Sequence, residues 1–261
     1  MFKAILLDLD GTVYRGKEVI EGVPQAIEAI RKLRMKIFFI SNASMRTRKE
    51  QMEKLQGMDI DCKLGEVYNT AYATANYIRQ HYPHAKVYVI SEGGLQKEIA
   101  LAGIKIIDGK DGERADVVAI GLDTKLTFEK LATALRAIIN GAVFIASNVD
   151  HVYPTEKGLL LGSGTIAAFL EYGTKKKPIV IGKPESHLIE ALLANAHLKK
   201  NEVLIVGDNY ETDLKVAKLM KIKCALVLTG LTQKKDLKNM KKSEQPDFVL
   251  KSAAEITKIL F

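Results

Sequence analysis

Cysteine is scarce in this 261-residue chain: only Cys62 and Cys224 are present. Two thiols so far apart cannot build a disulfide framework or a zinc site. Both read as buried groups that behave as small hydrophobes. The five histidines show no metal-ligand spacing. No apolar run approaches the roughly 20 residues that a membrane helix needs. The opening Met1-Phe2-Lys3-Ala4-Ile5-Leu6-Leu7-Asp8 turns acidic too early for a secretory signal. A cytoplasmic protein without a membrane partner is therefore expected. Internal repeats, low-complexity tracts and a long basic arm are also missing. A hydrophobic fraction of 47% with 27% charged residues excludes global disorder and a collagen-like fibre.

What is present begins with charge. Lys plus Arg number 39 against 31 Asp plus Glu, a net charge of +8. Such an excess favours anionic ligands, whether nucleic acid or phosphorylated metabolites. The lysines fall in short clusters (175–177, 234–235, 241–242), which read as solvated surface.

Short β-rich apolar runs alternate with amphipathic stretches. Residues 3–8, 36–40, 203–206 and 224–228 predict strands. Residues 23–33, 45–56, 185–196, 213–220 and 253–260 predict helices, with Pro24 in a first turn. Both ends of the chain thus look like pieces of one doubly wound parallel α/β sheet. The middle has its own α/β rhythm, with strands at 86–90, 116–120 and 143–146. Its predicted helices span 94–102, 128–139 and 166–172. About a hundred residues suffice for a second small domain. Turn formers at 81–84 and 173–178 mark its boundaries. The expected division is a core of residues 1–80 and 179–261 and an inserted domain of 81–178.

Polar residues gather where the predicted strands end, the edge at which open α/β sheets bind ligands. The first strand ends Asp8-Leu9-Asp10-Gly11-Thr12. Carboxylates two residues apart point to the same side of an extended chain. They repel unless a cation or a proton intervenes. The bland alternative is an acidic strand end and a turn. Ser41-Asn42-Ala43-Ser44 closes the second strand; it can cap the next helix, the simpler reading, or hold a phosphate. Gly182-Lys183-Pro184 follows an apolar run and precedes a helix. Taken alone, Lys183 reads as a surface lysine, with a phosphate-binding point charge as the alternative. Gly207-Asp208-Asn209-Tyr210-Glu211-Thr212-Asp213 is a second acidic turn. Asp208 is a metal candidate there, and Asp213 is either a functional acid or an ordinary helix start.

Together, Asp8-x-Asp10-Gly11-Thr12, Ser41-Asn42, Lys183-Pro184 and Gly207-Asp208-x-x-x-x-Asp213 resemble the four motifs of the haloacid dehalogenase superfamily. More narrowly, the chain is similar to its subfamily IIA, the NagD-like and 4-nitrophenylphosphatase branch. Further support comes from Gly121-Leu122-Asp123, the run from Leu126 to Leu131, and Asn148-x-Asp150-x-x-x-Pro154. The resemblance implies a Rossmann-like core with an inserted α/β cap. It also implies Mg²⁺-dependent hydrolysis of small phosphate monoesters through an aspartyl-phosphate. Asp8 would be the nucleophile, and Asp10 the general acid and base, with a raised pKa. Mg²⁺ would be held by Asp8, the Asp10 carbonyl and Asp208. Ser41, Asn42 and Lys183 would hold the phosphoryl group, and Gly11 and Thr12 the loop around it. Asp213 would orient Lys183 or a metal-bound water, with Glu211 as the less favoured substitute.

By the same resemblance, the 147–164 loop would read the substrate through Asn148, Asp150, His151 and Tyr153. Leu161 stands where the branch usually has proline. A small phosphorylated metabolite is the expected partner, and a homodimer is compatible with a cap of this type. Two alternatives compete. One is phosphotransfer to an acceptor other than water. The other is a non-catalytic basic protein that stacks nucleic acid on Tyr68, Tyr72, Tyr77 and Tyr82; helical packing is the preferred reading of those rings.

Overall fold

The computed structural model describes residues 2–155, 158–238 and 240–260. Strand β1 (Ala4–Asp8) leads into a hairpin of β2 (Tyr14–Arg15) and β3 (Glu18–Val19). Next come α1 (Val23–Lys32), β4 (Lys36–Ser41), α2 (Arg48–Gln56), β5 (Val67–Asn69) and α3 (Thr70–His81). The middle of the chain contributes β6 (Lys86–Ile90), α4 (Gly94–Leu101), β7 (Lys105–Ile107), β8 (Val117–Ile120), α5 (Phe128–Ile139) and β9 (Val143–Ala146). A hairpin of β10 (Val152–Thr155) and β11 (Gly158–Leu161) precedes α6 (Ser163–Thr174) and β12 (Ile179–Val180). The last part holds α7 (His187–Ala196), β13 (Val203–Gly207), α8 (Lys215–Met220), β14 (Lys223–Val227), α9 (Lys234–Leu237) and β15 (Phe248–Leu250).

The chain divides into two compact units. One comprises Met1–Ser41, Met52–Tyr68 and Lys183–Phe261; the other comprises Asn42–Gln51 and Asn69–Gly182. The first unit is built on a six-stranded sheet of order β15-β14-β13-β1-β4-β5. Counted along this sheet alone, the order is 3-2-1-4-5-6 read from β5, that of a Rossmann-like doubly wound fold. All five residues of β1 are buried, as expected of a strand covered on both faces. Helix α1 lays Val23, Ala26, Ile27 and Ile30 into this core. Each large aliphatic side chain so buried stabilises by about 1.5–3 kcal/mol. Arg31 and Lys32 close the helix, where cations complement the backbone dipole.

The second unit has a five-stranded sheet of order β12-β9-β8-β6-β7, with every neighbouring pair parallel. Read within the unit this is 2-1-3-4-5, the other common doubly wound order. Tyr88, Ile90, Val118, Ile120 and Phe144 face a core shared with Ala134, Ile138 and Leu170. Strand β12, at Ile179–Val180, pairs with β9 in this sheet.

Candidate active site

In the first unit, β1 and β13 are neighbours where the strand order reverses. That reversal opens a crevice beyond the strand ends, where α/β sheets take ligands. Leu7 pairs with Val206, so both strands end at one level, with Asp8 last in β1 and Asp208 the residue just after β13. Oxygen atoms of Asp8, Asp208 and Asp213 lie within 4.8 Å of one another, and all three residues are buried. After Asp10 the chain reverses tightly: the N–H groups of Thr12, Val13 and Tyr14 all donate to the Leu9 carbonyl. Gly11 sits in this turn at φ +83°, and a Cβ there would fall 2.6 Å from Asp208 Oδ2. Glycine therefore meets both the left-handed backbone and the close approach. Asp10 itself is exposed and accepts a hydrogen bond from the Tyr14 hydroxyl at 3.3 Å. The Thr12 hydroxyl is buried, with no hydrogen-bond partner among the described residues.

Lys183 is not a surface lysine. Its side chain is 2% exposed, and Nζ donates to Asp8 Oδ1 and Asp213 Oδ1, each at 2.5 Å. Two buried carboxylates are tolerable only with such a partner. Nor does Asp213 open an α-helix. The segment Tyr210–Leu214 forms one π-helical turn, in which the Leu214 N–H reaches the Asn209 carbonyl. The wider turn swings Asp213 back, so that its Oδ2 accepts the Asn209 N–H at 3.2 Å. Glu211 stands away from this cluster, exposed and paired with Lys215.

The sequence reading missed the loop after β14. The Leu231 N–H donates to Asp208 Oδ2 at 2.6 Å, and the Thr229 hydroxyl donates to the Gly11 carbonyl at 2.6 Å. Thr229-Gly230-Leu231-Thr232 is hydroxyl- and glycine-bearing and follows a strand. It carried the same kind of signal as the motifs that were recognised.

Burial is the largest influence on the two buried strand-end acids. It pushes Asp8 well above the usual carboxylate range; Lys183 opposes the rise, while Asp213 and Asp208 add to it. Asp208 is pushed up to about 6, first by burial and then by Asp213, against the Leu231 N–H and Lys183. Burial also pulls on the Lys183 ammonium, but Asp213 and Asp8 outweigh it and raise its pKa. Three acids thus share one cation, and negative charge is in excess. Hard oxygen donors held this close suit an oxygen-seeking divalent ion such as Mg²⁺. A cation there would offset the burial and the mutual repulsion that raise Asp8 and Asp208.

Ser41 is buried at the end of β4, next along from Ile40, the register partner of Asp8. Neither Ser41 nor Asn42 caps α2. That helix starts at Arg48, later than expected, and Thr47 Oγ1 accepts the Glu50 N–H while Glu50 Oε2 accepts the Thr47 N–H.

In the second unit, Asn42 Nδ2 donates to Asp150 Oδ1 at 3.1 Å. Asn148 is buried and engaged at both ends: Nδ2 donates to the Asn42 carbonyl, while Oδ1 accepts the Asp150 N–H and the Ser163 hydroxyl. Tyr153 is half-buried in β10 opposite Leu160, and His151 and Leu161 are exposed. Residues 156–157 of the expected substrate-reading loop lie outside the described residues. The four tyrosines offer no open row: Tyr68 is buried against Phe38, Tyr72 carries the Arg48 guanidinium, and Tyr77 packs on His81 and Tyr82.

A Rossmann-like sheet with an acid–lysine cluster at its reversal point defines a class, the parallel α/β phosphohydrolases. Comparison with known proteins narrows it. The sequence model of the family described as haloacid dehalogenase-like hydrolase matches residues 5–105, and a second model of that group matches 180–256. The acid sugar phosphatase of Staphylococcus epidermidis is 40% identical over 238 residues, 91% of each chain. The p-nitrophenyl phosphatase of Archaeoglobus fulgidus superposes with a TM-score of 0.93 at 32% identity, covering 99% of each chain. The glycerol phosphate phosphatase of Mycobacterium tuberculosis, solved in complex with magnesium, gives a TM-score of 0.88 at 29% identity, over 97% of this chain and 75% of the other. The chain belongs to the haloacid dehalogenase-like hydrolases, in the NagD-like subfamily IIA, and is a phosphoric monoester hydrolase.

Proposed function

We propose that the protein hydrolyses small phosphate monoesters, such as sugar, glycol or nucleotide phosphates, with Mg²⁺ and through an aspartyl-phosphate. The observation that carries this reading is the buried Lys183 bridging Asp8 and Asp213 beside Asp208. An Asp8 oxygen attacks phosphorus, and the bond to the leaving oxygen breaks as Asp10 protonates that oxygen. Asp10, now a carboxylate, takes a proton from the water that cleaves the aspartyl-phosphate; phosphate leaves and Asp8 is restored. The exposed position of Asp10, at the mouth of the turn, suits exchange with a leaving group and with water. Ser41, Asn42 and Lys183 hold the phosphoryl oxygens as charge shifts among them. Asp213 fixes the Lys183 ammonium, and Gly11 and Thr12 shape the loop.

Asp8, the Asp10 carbonyl and Asp208 would hold Mg²⁺, which supplies positive charge to offset the anionic phosphate and carboxylates. The inserted segment 81–178 acts as the substrate-reading cap. Asp150, His151 and Tyr153 are its recognition candidates, and Asn148 supports them. The protein works in the cytoplasm on a small phosphorylated metabolite, as a monomer or homodimer. No helix among the described residues is long and apolar enough to cross a membrane. On this reading a small metabolite is favoured over nucleic acid as the partner.

The test is phosphate release from 4-nitrophenyl phosphate with Mg²⁺, with EDTA, and with Asp8→Asn. Turnover that needs both the metal and Asp8 is expected, with the variant still folded. Undiminished turnover by Asp8→Asn removes the nucleophile assignment.

A further inference from the structure

The reversal of strand order in the second sheet lies between β6 and β8. By the same topological rule that places the acid cluster of the first sheet, this crevice is where a doubly wound unit would take a ligand. Here it is filled by the chain's own residues 44–46. The first N–H groups of α4, on Gly94 and Leu95, donate to the carbonyls of Met45 and Ser44, both at 2.9 Å. Such amides would otherwise be free to bind an anion. Ser44 Oγ accepts the Leu122 N–H just beyond β8, at 3.3 Å. The fit is close: a Cβ on Gly94 would lie 2.6 Å from the Arg46 nitrogen and overlap the rest of its backbone.

The same unit also holds the carbonyl at the end of this plug and one just before it. Asn69 Nδ2 donates to the Arg46 carbonyl at 2.8 Å. The Asn42 carbonyl accepts from two groups, Thr70 Oγ1 and Asn148 Nδ2, each at 2.7 Å. Thr70 is fully buried at the first position of α3. The carbonyls of residues 42, 44, 45 and 46 are therefore all engaged by donors of one sheet-and-helix unit. A peptide plane held at its carbonyl has its orientation set, here that of the peptide joining Asn42 to Ala43, and with it the placing of the Asn42 Cα.

We infer that the crevice of the second unit serves as a clamp for the loop that begins at Ser41-Asn42, and that Thr70 is a positioning residue for phosphoryl binding. This rests on the proposed role of Asn42 in holding the phosphoryl group. The clamp matters because preorganised donors act without rearranging during the reaction. Thr70 touches no reacting atom; it acts through the peptide that joins Asn42 to Ala43.

The test compares wild type, Thr70→Ser, Thr70→Val and Ser44→Ala. Four quantities are measured: kcat and KM on 4-nitrophenyl phosphate, binding of inorganic phosphate by calorimetry, and the melting temperature. Thr70→Val keeps the volume but loses the donor. It should lower kcat about tenfold, the equivalent of one lost hydrogen bond, and weaken phosphate binding. Thr70→Ser keeps the hydroxyl and should stay within about twofold of wild type, a rescue that a purely volumetric role would not give. Ser44→Ala should shift kcat in the same direction as Thr70→Val. A folded Thr70→Val with wild-type kcat and phosphate binding overturns the inference. If Thr70→Val does not fold, wild-type values for Ser44→Ala overturn it. A wild type that binds phosphate without turnover defeats the proposed reaction alone, and binding then decides on the clamp. A wild type that does neither defeats both.

Discussion

Asp208→Asn should change how the metal-free protein responds to pH, and the size of the change follows from the site. Asp208 has its pKa pushed from 3.8 up to about 6, chiefly by burial and then by Asp213. The folded state therefore holds this proton more tightly than the unfolded chain. Its contribution to stability is fully present below about pH 4 and is lost as pH rises through about 6. Two pKa units correspond to a loss of about 3 kcal/mol. Asparagine carries no charge to desolvate, and its carbonyl can still accept the Leu231 N–H. Part of that loss has already occurred by pH 4.5, so the stability of Asp208→Asn relative to wild type should rise by about 2 kcal/mol between pH 4.5 and pH 7.5. Urea denaturation in EDTA measures this, since the difference between pH values cancels any constant packing effect of the substitution. Added Mg²⁺ should then stabilise the wild type at pH 7.5 far more than the variant. A gap independent of pH, or one that opens toward acid, would refute the account of a desolvated, uncompensated carboxylate.

Two further outcomes follow from other buried groups. Lys183→Met strands Asp8 and Asp213 without their cation, which should cost about 3–5 kcal/mol of stability in thermal or urea unfolding. The same change should cut phosphatase turnover at least about a hundredfold; a variant that melts and turns over like wild type would contradict the bridge. Burial raises the thiol of Cys62 to about 12 and that of Cys224 to about 11. Neither should react with a disulfide reagent at pH 8 until denaturant is added, and rapid labelling of the native protein would show one of them to be accessible.

Local pattern revealed much of this fold. The continuous apolar run of β1, the helical spacing of Val23, Ala26, Ile27 and Ile30, and the strand Val143–Ala146 reflect side-chain preferences that act within a few residues. The helix Phe128–Ile139 has the predicted bounds because Thr127 caps it through the Lys130 N–H. Where local signals are weak, contacts made later in folding set the element bounds. Thr47 rather than Ser41 or Asn42 closes the start of α2, and a π-helical turn replaces the first turn of the helix expected at 213. Short strands such as Lys105–Ile107 and the hairpin at Tyr14–Val19 carry too few apolar positions to show a period.

The sequence alone determined the chemistry available. Acids at 8, 10, 208 and 213, the lysine at 183 and the hydroxyl and amide at 41 and 42 all follow or flank predicted strands, and their order matched one family. Only the tertiary structure decided what each becomes. Lys183 turned from a plausible surface residue into a buried bridge because its apolar neighbours and two distant carboxylates converge on it. Strand order is a long-range property: β1 and β13 are about 200 residues apart in sequence yet adjacent in the sheet. Desolvation depends on that convergence, so the raised Asp8 and Asp208 and the clamp on residues 42–46 exist only once distant segments have packed.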